Sequence, residues 1–119
     1  DNIKGHIKIM AVPFPDLVGL YKNASLFVFP SLAEGFGIPP LEAVEYGCPI
    51  LCSDATAMKE FKLSQEVTFN PTDKEEMEKK IDKQLTSPIM IDKGEMAKRF
   101  NWKHSADVLY KAIVNNSQL

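Results

Sequence analysis

The sequence has little with which to cross-link itself or to hold a metal. It contains two cysteines, Cys48 and Cys52, and two histidines, His6 and His104. If Cys52 lies in an extended segment, the two cysteine α-carbons stand roughly 13 Å apart. A disulfide needs them within about 7 Å. Both are therefore read as reduced, buried thiols. The two histidines are far apart and share no ligand spacing with the cysteines, so no zinc-type site is expected. Excess basic charge is also missing. The formal net charge is −2, which argues against broad electrostatic binding to nucleic acid or to an anionic membrane. No apolar run approaches a membrane span, and these residues carry no signal-peptide pattern. Internal repeats, linkers and low-complexity tracts are absent as well.

What is present suits one soluble domain. A chain of 119 residues, 45% hydrophobic and 25% charged, can bury roughly two-thirds of its unfolded surface. His6 to Val12 alternates enough to read as a strand, with Ile7 and Ile9 on one face. Pro13-Phe14-Pro15 ends it. Asp16 is placed to cap a helix whose apolar stripe is Leu17, Leu20, Tyr21 and Ala24. Leu26 to Phe29 is apolar at every position, as a strand covered on both faces must be. Pro39 and Pro40 suit the start of the next helix, with Leu41, Ala43 and Val44 facing inward and Gly47 as its stop.

Ile50 to Ser53 reads as a second buried strand, Thr56 to Phe61 as a short helix, and Val67 to Phe69 as a further strand. Asp73 with Glu76 gives a capping-box-like start to a surface helix carrying Met77, Ile81 and Leu85, which Pro88 interrupts. A helix from Ile89 to Phe100 is expected next, then Trp102 and a last helix bearing Ala106, Leu109, Tyr110 and Ile113. Alternation of strands and helices predicts an α/β fold. Its core would be a Rossmann-like partial parallel sheet of about four strands, with helices on both faces.

The chain is organised around the stretch from Phe29 to Ala43. An apolar strand breaks into the loop Ser31 to Gly37, which carries Gly35 and Gly37, and a helix restarts at the prolines. Strand, glycine-bearing loop and helix N-terminus form the arrangement that binds anionic ligands in open α/β sheets. Glu34 and Glu42 bracket the loop with seven residues between them. Carboxylates repel phosphate, so their natural partners are neutral hydroxyls, while free backbone N–H groups take the anion. A sugar attached to a phosphate fits both. Other chemistries are poorly served. Ser31 follows a strand, but its flanks Phe29 and Ala33 lack the glycines of a nucleophile elbow. No Gly-Lys-Ser/Thr completes a Walker loop, and Pro40 occupies the last position of a Gly-x-Gly-x-x-Gly fingerprint.

Phe-Pro-Ser (29–31), Glu-Gly-Phe-Gly-Ile-Pro (34–39) and Leu-Glu-Ala (41–43) together resemble the Glu-x7-Glu signature of retaining nucleotide-sugar glycosyltransferases with the GT-B fold. The match is to glycosyltransferase family 4. Further similarity lies in Asp16 to Ala24, Gly47 to Ile50, Ser53-Asp54, Asn70 to Asp73 and Phe100-Asn101-Trp102. It covers nearly the whole chain but corresponds only to the last part of such an enzyme. The resemblance implies that residues 1–119 are the C-terminal portion of the donor-binding domain. The acceptor domain, the first βα units and a basic pair for the leaving diphosphate would then lie upstream.

The resemblance also implies roles. Glu34 would sit beside the donor hexose near the reacting carbon. Glu42 would accept from the two ribose hydroxyls. The backbone amides of Phe36, Gly37, Ile38 and Leu41 would meet the donor sugar and diphosphate. A nucleotide-diphosphate sugar is the implied donor, with no metal or other cofactor. The implied acceptor is a glycan, lipid or small molecule, held by the missing domain. The full-length protein would be cytoplasmic, with peripheral membrane association. Two departures from the family pattern stand out: Ala11 in place of a common Gly, and Lys59 in place of a common Pro. A rival reading keeps the motif as packing in a non-catalytic Rossmann-like interaction module. It requires a filled pocket and salt bridges from Glu34 and Glu42 to lysines.

Overall fold

The computed structural model describes residues 7–116. In chain order the elements are α1 (Phe14–Asn23), β1 (Phe27–Phe29), α2 (Ile38–Glu45), β2 (Ile50–Ser53), a 3₁₀ helix (Thr56–Phe61), β3 (Thr68–Phe69), α3 (Lys74–Thr86), α4 (Lys93–Arg99) and α5 (Trp102–Asn116). The strands form one three-stranded sheet in the order β1-β2-β3. Both pairings are parallel, with Phe27 opposite Ile50, Phe29 opposite Cys52, and Cys52 opposite Thr68.

β2 is the centre. All four of its residues are buried. Side chains alternate along a strand, and each face of β2 has its own cover. Ile50 and Cys52 join Tyr21, Ala43, Val44, Met58 and Phe61 in the main core cluster. Leu51 points the other way and is equally buried, as are Val67 and Phe69. The helices therefore lie on both faces, as the alternating pattern predicts. The cysteines are free and buried, also as expected.

Several local signals work as read. Gly47 ends α2 with φ 77°. Its N–H donates to Val44 O at 3.0 Å and the Cys48 N–H to Ala43 O at 2.9 Å, the paired bonds of a Schellman stop. Asp73 caps α3 by accepting from the Glu76 N–H at 2.9 Å. The Glu76 carboxylate reaches back to the Asn70 N–H rather than to Asp73 itself. Gln84, fully buried on α3, donates to Glu66 O and accepts from the Ile89 N–H. Its polar cost is thereby met.

Other expectations need correction. The strand at His6 to Val12 does not form. His6 lies outside the described residues, and residues 7–12 have no regular structure. Ile9 is 99% exposed. A strand must pair its backbone with a neighbour, and no strand of the sheet flanks this segment. The sheet of the described residues thus has three strands rather than four. β1 is only half-buried because it is an edge strand. α1 starts earlier than predicted, with Pro13 at its N-cap and Asp16 inside its first turn. The helix expected over Ile89 to Phe100 is confined to Lys93–Arg99, because Asp92 caps it by accepting from the Glu95 N–H. The apolar stripe of α5 faces outward: Trp102 is 87% exposed and Leu109 62%.

Candidate functional site

The loop between β1 and α2 leaves the C-terminal end of a parallel strand, where open α/β sheets hold ligands. Glu34 is half-buried in it. The Ser31 hydroxyl donates to Glu34 Oε1 at 2.8 Å, and the Glu34 N–H donates to Thr56 Oγ1 at 2.9 Å. Gly35 needs no special backbone conformation, whereas Gly37 does. It caps α2 in the left-handed region with φ 94°. A β-carbon there would stand 2.5 Å from Met58 Sδ. Gly37 is therefore required by close packing on the 3₁₀ helix as well as by its turn. Gly37→Ala is expected to destabilise the protein by about 1–3 kcal/mol. Chemical denaturation checks this; a wild-type midpoint would show that Met58 moves aside freely.

The start of α2 is an unusual helix N-terminus. Its cap makes no side-chain hydrogen bond. The first helical N–H groups have no partner within a helix, but Pro39 and Pro40 carry none. That leaves Gly37 and Ile38 as its free-end donors. Leu41 is the fourth helical residue, and the bond from this position to the N-cap carbonyl, made in α1, α3 and α4, is not found at α2, whose N-cap Gly37 is left-handed. Phe36 packs its ring edge-to-face on Phe61 and Phe100, with centroids 6.0 and 5.9 Å away. Its side chain is thus a strut for the loop.

Glu42 lies beyond the first turn of α2, which contains no acidic residue. A helix-dipole explanation for this carboxylate weakens accordingly, since the effect falls off within one turn. Its local partner is Tyr21 of α1, whose hydroxyl donates to Glu42 Oε2 at 3.3 Å. Burial, with the Glu42 charge beside it, pushes the Tyr21 hydroxyl up to about 12. Burial likewise pushes the Cys52 thiol up to about 12.

Both groups are held protonated by the fold. Their contribution is complete below their unfolded values, near 9 for the thiol and 10 for the phenol, and is lost as the pH rises through about 12. Urea midpoints are expected to fall between about pH 9 and 12. Tyr21→Phe should flatten part of that fall; an unchanged slope in this variant would remove Tyr21 from the account.

Two hollows adjoin the loop. One of about 400 Å³ is lined by Phe36, Ile38, Leu41, Arg99, Phe100 and Trp102, among others. The other, of about 270 Å³, is lined by residues including Phe14, Leu41, Glu42, Tyr46, Lys93 and Met96. Leu41 and Phe100 are common to both, and Glu34 lines neither. Phe36, Ile38, Leu41 and Glu42 are thus brought to adjoining hollows, with Glu34 on the loop beside them. Among the described residues neither Glu34 nor Glu42 pairs with a lysine or arginine. The salt bridges found are Lys74–Glu78, Lys80–Glu76 and Lys83–Glu66. The packing-only module required such pairs, so its distinguishing feature is missing.

Sequence reasoning missed Ser31, Thr56, Tyr21 and Arg99 as neighbours of the site. Arg99 donates to Glu60 O and stacks over Phe100, and it borders the larger hollow. Its place immediately before Phe100-Asn101-Trp102 was the available signal.

The family described as Glycosyl transferases group 1 matches residues 2–111. The chain is also similar to curated proteins. It is 36% identical over 96 residues to the "Serotype-specific mannosyltransferase WbdA" of Escherichia coli, covering 76% of this chain and 12% of that protein. It is 36% identical over 98 residues to the "O-antigen chain mannosyltransferase B" of the same organism, covering 78% and 26%. It is 40% identical over 62 residues to the "O-antigen chain mannosyltransferase RfbU" of Salmonella typhimurium, covering 52% and 18%. No solved structure matches. A parallel α/β sheet with a glutamate-bracketed loop after its first strand agrees with the family match. The chain belongs to the glycosyl transferases group 1 family. It spans 12% to 26% of the length of the first two of these relatives.

Proposed function

We propose that this chain is the donor-binding part of a retaining glycosyltransferase of family 4. The whole protein moves a hexose from a nucleotide-diphosphate sugar to an acceptor hydroxyl. The names of the relatives point to mannose as that hexose. One observation carries the reading. Two carboxylates bracket the loop into α2, and neither is neutralised by a cation among the described residues. Such carboxylates are free to accept from sugar hydroxyls.

Glu42 accepts from the ribose hydroxyls through the oxygen that Tyr21 does not engage. Glu34 faces the hexose, where positive charge grows as the glycosidic bond breaks. The amides of Phe36, Gly37, Ile38 and Leu41 meet the sugar and diphosphate. The reading assigns no metal. Acceptor glycan, lipid or small molecule is held by parts of the protein outside this chain. The reaction belongs on the cytoplasmic side, with the protein peripheral to the membrane. No helix among the described residues is long and apolar enough to cross one.

The test is transfer by the full-length protein from a nucleotide-diphosphate mannose, with the product's anomeric configuration read by NMR. Transfer with retention is the expected result. Inversion would sink the mechanistic part, and no transfer from any nucleotide sugar would sink the whole.

A further inference from the structure

Glu34 is held at two points, its carboxylate and its backbone N–H, by residues to which no role has yet been given. Ser53 closes β2 and is fully buried. Its hydroxyl donates to the Ser31 carbonyl at 2.6 Å, which ties the end of β1 to the end of β2. The Ser31 hydroxyl then donates to Glu34 Oε1 at 2.8 Å. The Ala33 carbonyl lies 3.2 Å from the same hydroxyl. One proton serves one acceptor well, and the carboxylate is both closer and charged. At the second point, Thr56 Oγ1 accepts from the Glu34 N–H at 2.9 Å. Thr56 does so from a backbone with φ 44°, a region that β-branched residues rarely enter. Strain of this kind persists where surrounding structure over-determines it, and it concentrates at functional sites.

We infer that Ser31 and Thr56 are positioning residues for Glu34, with Ser53 as the buried anchor of Ser31. The inference rests on the donor-site reading above. Ser31 fixes the direction of the carboxylate, and Thr56 fixes the height of the loop that carries it. An acidic side chain on a glycine-bearing loop has many rotamers of similar energy. A carboxylate that must face developing charge gains from being fixed before the reaction starts. The hydroxyl of Ser31 supplies that fixing without adding a charge of its own.

The experiment is a double-mutant cycle in the full-length protein, read as kcat and donor KM. Ser31→Ala is expected to lower kcat about tenfold with donor KM changed less than about twofold. Ser31→Thr, which keeps the hydroxyl, should restore most of the rate. In a Glu34→Ala background, Ser31→Ala should add less than about a twofold loss, because it acts only through Glu34. A structural role would predict losses that multiply. Multiplying losses, or a wild-type kcat in Ser31→Ala, would overturn the inference while leaving the donor site intact. Wild-type kinetics in both Glu34→Ala and Glu42→Ala would overturn the donor-site reading, and the inference with it. If Ser31→Ala melts early, Ser31→Cys carries the same test, with nearly the same shape and a much weaker donor.

Discussion

Glu34→Ala in the full-length protein is expected to lower kcat roughly a hundredfold while leaving donor KM nearly unchanged, the usual scale for removing one stabiliser of transition-state charge. The basis is position. Glu34 sits half-buried on the loop that leaves β1, oriented by Ser31. An interaction that strengthens as the glycosidic bond breaks acts on the transition state alone, so its loss appears in turnover. Glu34→Gln separates charge from shape and should lose most of the same factor. Glu42→Ala should behave differently. On the proposed reading the ribose keeps its hydroxyls from ground state to transition state, so Glu42 would contribute uniform binding. Hydrogen bonds to a charged group are worth about 1.5–3 kcal/mol, which corresponds to a KM increase of about tenfold to a hundredfold. Steady-state kinetics against donor concentration distinguish the two. A wild-type kcat in both Glu34 variants would remove that residue from the chemistry.

Phe61→Ala is expected to be the most damaging single change to stability, at about 3–5 kcal/mol. Phe61 is 1% exposed, and its ring meets Phe100 at 4.9 Å and Phe36 at 6.0 Å between centroids. A β-carbon added to Gly37 would lie 3.5 Å from it. Removing the ring leaves a cavity beneath the loop and takes away the strut of Phe36. Against a total stability of about 5–15 kcal/mol, this is a large share. A fall in Tm of about 10 °C or more should follow. Calorimetry with urea denaturation checks it; a cost below about 1 kcal/mol would show that the aromatic cluster repacks and is not the floor of the loop.

The parts legible in the sequence are those whose causes are local. β2 announced itself because a strand buried on both faces must be apolar throughout, and Ile50 to Cys52 are. Gly47 and Asp73 declared their helix ends because the residue at the end does the work. His6 to Val12 misled because alternation measures a side-chain pattern, while a strand also needs a paired neighbour. Asp16 misled because proline at the N-cap position starts a helix without a capping side chain. The two glutamates and Gly37 were singled out by their spacing. Their supports were not: Glu42 meets Tyr21, and the Glu34 amide meets Thr56, 21 and 22 residues away along the chain. Contacts of that range follow from how α1 and the 3₁₀ helix pack, which no local pattern encodes. The Gly37 contact with Met58 was hidden for the same reason.

The sheet topology also sets the order in which this molecule can assemble. No two neighbouring strands are joined by a hairpin, so none of the sheet can zip up from a turn. Phe27 must find Ile50, and Cys52 must find Thr68, each across an intervening helical segment. The entropy of closing those loops has to be spent before any ladder bond repays it. α2 is the natural bridge, since its Schellman stop delivers the chain directly into β2. A nucleus built from β1, α2 and β2 would therefore form first, with β3 and α3 condensing onto it. In that sequence of events the two ends of the glutamate-bracketed loop are brought together in the earliest step, and the loop takes its final shape only when the 3₁₀ helix and Phe100 pack beneath it.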